Sequence, residues 1–314
     1  MYSPIAFFAF NRPFHTLKTL KALSENELAK DTEIFAFIDG PRNNSELHLI
    51  DNVEKIINSF SNKFKNIMVS RSNKNLTAGT NIRNGITSVL TKNDTLIVLE
   101  DDVYVSKYFL DYMNKALQKY KYENEVWHIN GFNFPINSIL PQDTFFTRNM
   151  QFWGWGTWKD RWFRFKDDAL ATDPFYLINE FSKKDIREFN LGLKYNLYWS
   201  MVLSNSDGRL PNTLDIFWYA FIFKNKGLCL SPAISMTRNI GHDGSGDNCP
   251  VDKKMIRNKI NQSSINSFPL EIIEDLEILK KIQKYIKMKY GFKNRVLKKF
   301  KKILLFFLNY LRKI

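Results

Sequence analysis

TLIVLEDD, residues 95–102, sets a short apolar run directly before three adjacent carboxylates. Thr95–Leu99 reads as a buried strand, because a short apolar run bounded by polar residues suits a strand covered on both faces. Glu100, Asp101 and Asp102 then stand at its carboxyl end. Working upstream, Ala78–Leu90 has helical spacing, Asn66–Ser70 reads as a strand and Leu47–Phe60 as a helix. Glu33–Ile38 is a further strand, stopped by Asp39-Gly40-Pro41, and Leu17, Leu20 and Leu23 recur at helical spacing. Ile5–Phe10 is an apolar run bounded by Pro4 and Asn11-Arg12-Pro13. Downstream come a helix at Lys107–Tyr120 and a strand at Val126–Ile129. Strands that alternate with helices predict parallel pairing and an α/β sandwich with a mostly parallel sheet. Ligands in such sheets bind at the carboxyl ends of strands.

The second half reads differently. Residues 131–165 look loop-like and aromatic, and residues 174–203 helical and more polar. Leu214–Lys224 predicts a helix and Leu228–Ser231 a short strand. Asn239–Pro250 carries Gly241, Gly244 and Gly246 and reads as a mobile loop. Beyond a polar stretch at Asn258–Ser267 the pattern is helical to the end.

Composition limits the function classes. Hydrophobic residues are 44% and charged residues 25% of the 314, which excludes a largely disordered chain. The net charge of +14 suggests nucleic acid until it is located. Thirteen of the 46 basic residues fall in Lys280–Ile314, which has no Asp or Glu, so the remainder is close to neutral. A nucleic-acid enzyme spreads basic charge over its working face, so no nucleic-acid partner is expected. Cys229 and Cys249 make neither a disulfide framework nor a zinc set. The opening MYSPIAFFAFNRP lacks the basic n-region of a signal peptide, and no apolar stretch of about 20 residues is present to span a membrane. The expected compartment is the cytoplasm.

Three adjacent carboxylates repel one another, and a hard divalent cation such as Mn2+ or Mg2+ resolves that repulsion while leaving positions for phosphate oxygens. A solvated acidic turn capping the next helix is the plainer alternative. Context bears on the choice. VLEDD (98–102), IAFFAFNRP (5–13) and FIDGPRN (37–43) occur in order with FWGWGTWKDRW (152–162), DIFWYAFIFKNKGLCLSP (215–232) and RNIGHDGSGDNC (238–249). Together they resemble nucleotide-sugar glycosyltransferases of the GT-A fold, of the family-2-like bacterial group, and the acidic triplet is similar to that of the N-acetylglucosaminyltransferase I type. The resemblance covers roughly residues 4–250. It implies a GT-A domain over 1–250, with a nucleotide-sugar half at 1–130 and an acceptor half at 131–250, followed by a linker and tail at 251–314.

The resemblance also implies roles. Phe10, Asn11, Arg12, Asp39 and Gly40 would hold the donor's base and ribose, and Arg83 would approach the donor. Asn11-Arg12-Pro13 equally suits a helix N-terminus with Pro at its first position. Glu100 and Asp101 would face the sugar or ribose and Asp102 would ligate the metal, with His242, next to Asp243, as a late metal or phosphate contact. Asp215 would be the base that deprotonates the acceptor, or else an N-cap, and Asp160 is the second candidate base. Trp153, Trp155 and Trp158, with Trp162, offer flat indole walls to an acceptor sugar, although ordinary core packing would use the same residues.

The tail places Leu297, Phe300, Leu304, Phe307, Leu311 and Ile314 at spacings of three and four opposite Lys298, Lys299, Lys301 and Lys302. That is a basic amphipathic helix, suited to an anionic membrane surface or to a partner protein. The combined expectation is a metal-dependent, inverting glycosyltransferase on the inner face of the cell membrane. It would move a sugar from a UDP-sugar to a bacterial surface glycan or glycolipid such as lipopolysaccharide or capsule. A sugar nucleotidyltransferase and a catalytically silent glycan-binding protein are the alternatives.

Overall fold

Strands whose two faces are both apolar must be covered by helices on both sides, and the chain supplies those helices in alternation. The computed structural model describes residues 2–136, 142–193, 197–209, 213–246 and 251–290. β1 (Ile5–Ala9) is followed by α1 (Pro13–Ser24), β2 (Glu33–Ile38) by α2 (Leu47–Ser59), and β3 (Asn66–Arg71) by α3 (Ala78–Lys92). β4 (Thr95–Glu100) continues into β5 (Val103–Val105), α4 (Phe109–Lys119) and β6 (Val126–Asn130). The second half holds β7 (Thr144–Thr147), β8 (Trp155–Trp158), α5 (Lys159–Asp167), α6 (Pro174–Glu180), α7 (Lys183–Phe189) and α8 (Trp199–Ser206). It ends with α9 (Leu214–Lys224), β9 (Leu228–Pro232), β10 (Thr237–Asn239), α10 (Lys253–Ile256) and α11 (Leu276–Tyr290).

The main sheet has the order β3-β2-β1-β4-β8-β6-β9-β7. β3, β2, β1 and β4 are parallel, β6 and β9 are parallel to each other, and β8 and β7 run antiparallel to their neighbours. The architecture is therefore the expected α/β sandwich around a mostly parallel sheet. The strand period of two divides the core. Ile5, Phe7 and Ala9 of β1 join Ile97 and Leu99 of β4 beneath α1, α2 and α4. Ala6 and Phe8 join Leu96 and Val98 on the other face, beneath α3, α5 and α9.

One expectation needs correction. Residues 131–165 are not simply loop: they supply β7, β8 and α5, and β8 sits mid-sheet between β4 and β6. The stretch 174–203 is helical as expected, in α6, α7 and the start of α8, and Leu191 and Gly192 take φ of +56° and +69° after α7. Residues after 250 also pack against the second half. Ile278, Leu279, Ile282 and Ile286 of α11 bury against Phe132, Phe134 and Leu193, and Glu274 pairs with Arg148. The segment 251–290 is thus built into the second half. The amphipathic stretch 294–314 lies outside the described residues. No described helix is long and apolar enough to cross a membrane.

Candidate active site

Parallel strands finish at one edge of the sheet, and this edge gathers the residues the sequence singles out. Phe8 stands opposite Glu100 and Ala9 opposite Ile38, so β1, β2 and β4 end at one level. The Asp101 amide donates to the Phe8 carbonyl at 2.9 Å and the Asp39 amide to the Ala9 carbonyl at 3.0 Å.

The pleat then splits the triplet. Glu100 continues the face of Leu96 and Val98, towards α9; Asp101 continues the face of Ile97 and Leu99, towards α1. On the α1 side, Arg12 pairs through Nη2 with Asp101 Oδ1 and, at 3.0 Å, with Asp102 Oδ2. Thr19 Oγ1 donates to the Asp101 carbonyl at 2.8 Å, which ties α1 to the end of β4. Burial pulls the Arg12 guanidinium down, but the two carboxylates outweigh it and hold Arg12 above its usual value. Asp101 is pushed up to about 6, by burial first, with Arg12 opposing and Asp102 adding. Its Oδ2 is buried and, among the described residues, accepts no hydrogen bond.

On the α9 side no cation balances the charge to the same degree. Burial, then the charges of Asp102, Asp215 and Asp101, hold Glu100 well above the carboxylate range, with Arg12 the weaker opposing influence. Asp215 lies in the first turn of α9, and burial pushes it up to about 6. Asp215 and Glu100 therefore lie close enough for their charges to interact, though they are far apart in the chain. Asp160 does not reach them. β8 is antiparallel to β4 and pairs Trp158 with Thr95, so α5 starts at the opposite end of the sheet. There the Asp160 carboxylate is 59% exposed and binds Arg161.

A small two-stranded sheet closes the site. β10 pairs with β5, placing Asn239 opposite Val103, and the Ile240 amide donates to the Asp102 carbonyl at 2.8 Å. Asn239 Nδ2 lies 3.4 Å from Asp102 Oδ1, while its Oδ1 accepts from the Gly241 amide at 2.7 Å. A Cβ at Gly241 would overlap Asp102 Oδ2, so only glycine lets the loop approach the carboxylate this closely. His242 is buried, edge-on to Trp153 with ring centroids 5.4 Å apart. Asp243 meets His15 Nε2 at 3.1 Å. In the loop expected to be mobile, Asn239–Gly241 pack onto Asp102, while residues 243–245 are exposed.

The donor-side candidates surround the same edge, but several are occupied with one another. Asn11 Nδ2 donates to Glu46 Oε1 at 3.0 Å, and the Arg42 guanidinium both binds Glu46 and lies 5.0 Å over the Phe10 ring. Asp39 Oδ1 accepts from the amides of Gly40 and Leu76 at 2.9 and 2.8 Å, and Oδ2 from Asn75 Nδ2 at 3.2 Å. Burial raises Asp39 while those amides oppose the rise. Gly40 is required by packing, since a Cβ there would overlap the Lys74 backbone. The same loop holds Thr77 at φ +70°, a conformation a β-branched residue resists and one that clusters at functional sites. Arg83 on α3 is half-buried; burial lowers it, and among the described residues no carboxylate offsets that and its Nε has no hydrogen-bond partner.

The tryptophan cluster also needs correction. Trp155, Trp158 and Trp162 are 2%, 1% and 0% exposed, so they are core and present no face to an acceptor. Trp158 Nε1 donates to the Leu117 carbonyl and Trp155 stacks on His128. Trp153 alone of the four is part-exposed, and it adjoins His242. The sequence reading did not single out Asn239, Arg42, Glu46 or Asn75. The one available signal was the position of Asn239 two residues before Gly241.

No family model matches the chain, and no curated protein resembles it significantly. Among solved structures, S. aureus TarS is 15% identical with a TM-score of 0.33, over 46% of this chain and 24% of that one. TarS residues 1–349 in complex with UDP give 16% and 0.33, over 46% and 39%. The galactosyltransferase LgtC, in complex with donor and acceptor sugar analogues, gives 10% and 0.40, over 80% and 90%. The chain matches only about a quarter of the full TarS length. Likeness at this level does not define function, which rests instead on the residues of the cleft.

Proposed function

We propose that this chain is a glycosyltransferase of the GT-A fold that transfers sugar from a UDP-sugar to a bacterial surface glycan or glycolipid, with inversion. The observation that carries the reading is the meeting of Glu100, Asp101, Asp102 and Asp215 at the carboxyl edge of a mostly parallel sheet, with Arg12 between two of them. Four acidic groups share one guanidinium, and the buried Asp101 Oδ2 has no hydrogen-bond partner among the described residues. An all-oxygen donor set fits Mn2+ or Mg2+. Among the described residues no three ligand-type side chains are already clustered as a metal site, and Arg12 stands against the two aspartates. Asp102 would be the direct ligand, with His242 beside it. The bound cation would supply Lewis-acid stabilisation of the departing diphosphate.

The chain's own groups do the rest. Asp215, raised towards neutrality, accepts the proton of the acceptor hydroxyl as that oxygen attacks the anomeric carbon, from the face opposite the departing diphosphate. Glu100, which burial and the neighbouring carboxylates hold above the carboxylate range, faces a sugar or ribose oxygen. Arg83, a half-buried cation without a carboxylate partner among the described residues, takes donor phosphate oxygens. Phe10, with Arg42 above it, forms a wall for the base. Trp153 offers the acceptor its remaining indole face. The basic stretch after Tyr290 would hold the enzyme at an anionic membrane; removal of 291–314 is expected to abolish pelleting with anionic vesicles, and retained pelleting would contradict that part. A thermal-shift panel of UDP-, GDP-, dTDP- and CMP-sugars, with and without Mn2+, tests the donor assignment. A UDP-sugar at 100 times its dissociation constant adds about 2.7 kcal/mol. No shift with any of them would contradict the reading.

A further inference from the structure

A second cavity lies along the same edge of the sheet. Its volume is about 530 Å³, and it is bounded by the ends of β6 and β9 and by residues 253–259. Phe134, Pro135 and Ile234 form an apolar wall, and Lys253, Lys254, Arg257 and Lys259 form a basic rim. Among the described residues no acidic side chain lines it. All four basic side chains are exposed, and none pairs with a carboxylate among the described residues. The cavity is anchored. Met255 is buried in the third core cluster, and the Asn261 amide donates to the Ser235 carbonyl at 2.7 Å. It also adjoins the cleft: the Asp252 amide, just before the rim, donates to the His242 carbonyl at 2.9 Å. Ser235 lines the cavity and Asn239 touches Asp102, so at most about 13 Å of chain separates them.

We propose that this cavity binds the anionic, lipid-linked end of the acceptor: a phosphate or pyrophosphate held by Lys253, Lys254, Arg257 and Lys259, joined to an apolar chain lying against Phe134 and Ile234. The proposal rests on the glycosyltransferase reading and adds its acceptor class. Unpaired cations make short charge-assisted bonds to phosphate oxygens. A purely soluble phosphate has no use for the apolar wall, and a neutral glycan has none for the rim. One molecule seated here reaches the carboxylate cleft along β10.

The test measures binding of dodecyl phosphate below its micellar concentration to the full chain by calorimetry, without donor. Inorganic pyrophosphate, neutral dodecyl maltoside and a short single-stranded RNA are the comparison probes. Dodecyl phosphate is expected to bind at least tenfold more tightly than pyrophosphate or the maltoside. The Lys253→Glu/Arg257→Glu double variant, and separately Ile234→Asp, are expected to weaken it tenfold or more with unchanged melting temperature. Equal binding of pyrophosphate and dodecyl phosphate would overturn the lipid-linked assignment in favour of a soluble anion. Tighter binding of RNA, or unchanged affinity in both variants, would overturn the site. Because no donor is present, a wild type that binds dodecyl phosphate yet turns over no nucleotide sugar would refute the glycosyltransferase reading and leave the anion site standing.

Discussion

The two sides of the β4 terminus carry the same kind of residue and treat it oppositely. Towards α1, Asp101 and Asp102 share Arg12, and the helix is stitched to the strand by Thr19. Towards α9, Glu100 and Asp215 lie close enough for their charges to interact; burial and like charge raise the first and burial raises the second. A balanced buried pair holds a fold together; an unbalanced one stores electrostatic free energy that a ligand or a proton can release. The α1 side is therefore the anchored side and the α9 side the one proposed to react, with Asp102 standing between them.

Substitutions that act on one side alone sharpen this contrast. Asp102→Asn removes the proposed metal ligand, and release of nucleoside diphosphate is expected to fall to background while the circular dichroism spectrum is kept. Activity near wild type would break the assignment. Asp215→Asn is expected to lower kcat by about 10²–10⁴-fold with donor affinity retained. The same change removes a carboxylate that the fold holds above its usual pKa, so the melting temperature at pH 7.5 should hold or rise. A collapse of donor affinity would instead put Asp215 in the donor site.

Arg12→Ala acts on the anchored side and leaves Asp101 buried without its partner. The expected loss of stability is about 3 kcal/mol, at the low end for a broken buried pair, because the Arg12 side chain keeps 19% exposure. Urea denaturation measures it, and a midpoint unchanged from wild type would show that the pair is not structural. The pH profile separates the sides further. A general base works only when ionised, and Asp215 is pushed up to about 6. Log kcat should fall with unit slope as pH drops below about 6 and level off above it. For stability the sign is opposite: the folded state binds the proton more tightly than the unfolded chain, so Asp215 weakens the fold as pH rises from about 4 through 6. A kcat flat from pH 5 to 7 would remove Asp215 from the mechanism. The smallest effect is expected from Asp160→Asn, whose carboxylate lies at the far end of the sheet. Its kcat should stay within a factor of two, and a large loss would reverse the choice between the two aspartates.

What the sequence made legible follows from local pattern. β1, β2 and β4 announce themselves as apolar runs stopped by Asn11-Arg12-Pro13, by Asp39-Gly40-Pro41 and by the acidic triplet, and parallel pairing then puts those stops at one edge. Asp215 was legible through its place before an apolar helix. β8 was not, since Gly154 and Gly156 disguise a four-residue strand as loop and its pairing with β4 is long-range. The same failure hid which tryptophans are core and that Asp160 points away from the edge. The closure of the site by Asn239 and Gly241 depends on the pairing of two three-residue strands, β5 and β10, and strands that short leave no periodicity to read. The split of the triplet by the pleat was available in principle from strand geometry, but Arg12 as its partner was not, because the contact spans 89 residues of chain.

Turnover of the donor is the most direct test that the carboxylate cleft is a nucleotide-sugar transfer site. The full chain is incubated with UDP-sugars in Mn2+ or Mg2+, and in excess chelator, and released UDP is measured over time. The expected result is slow hydrolysis of at least one UDP-sugar that requires the cation and rises when the correct acceptor is added. Failure to release UDP from any of them, or release at the same rate in chelator, would contradict the reading of Glu100, Asp101, Asp102 and Asp215 as a metal-assisted transfer site.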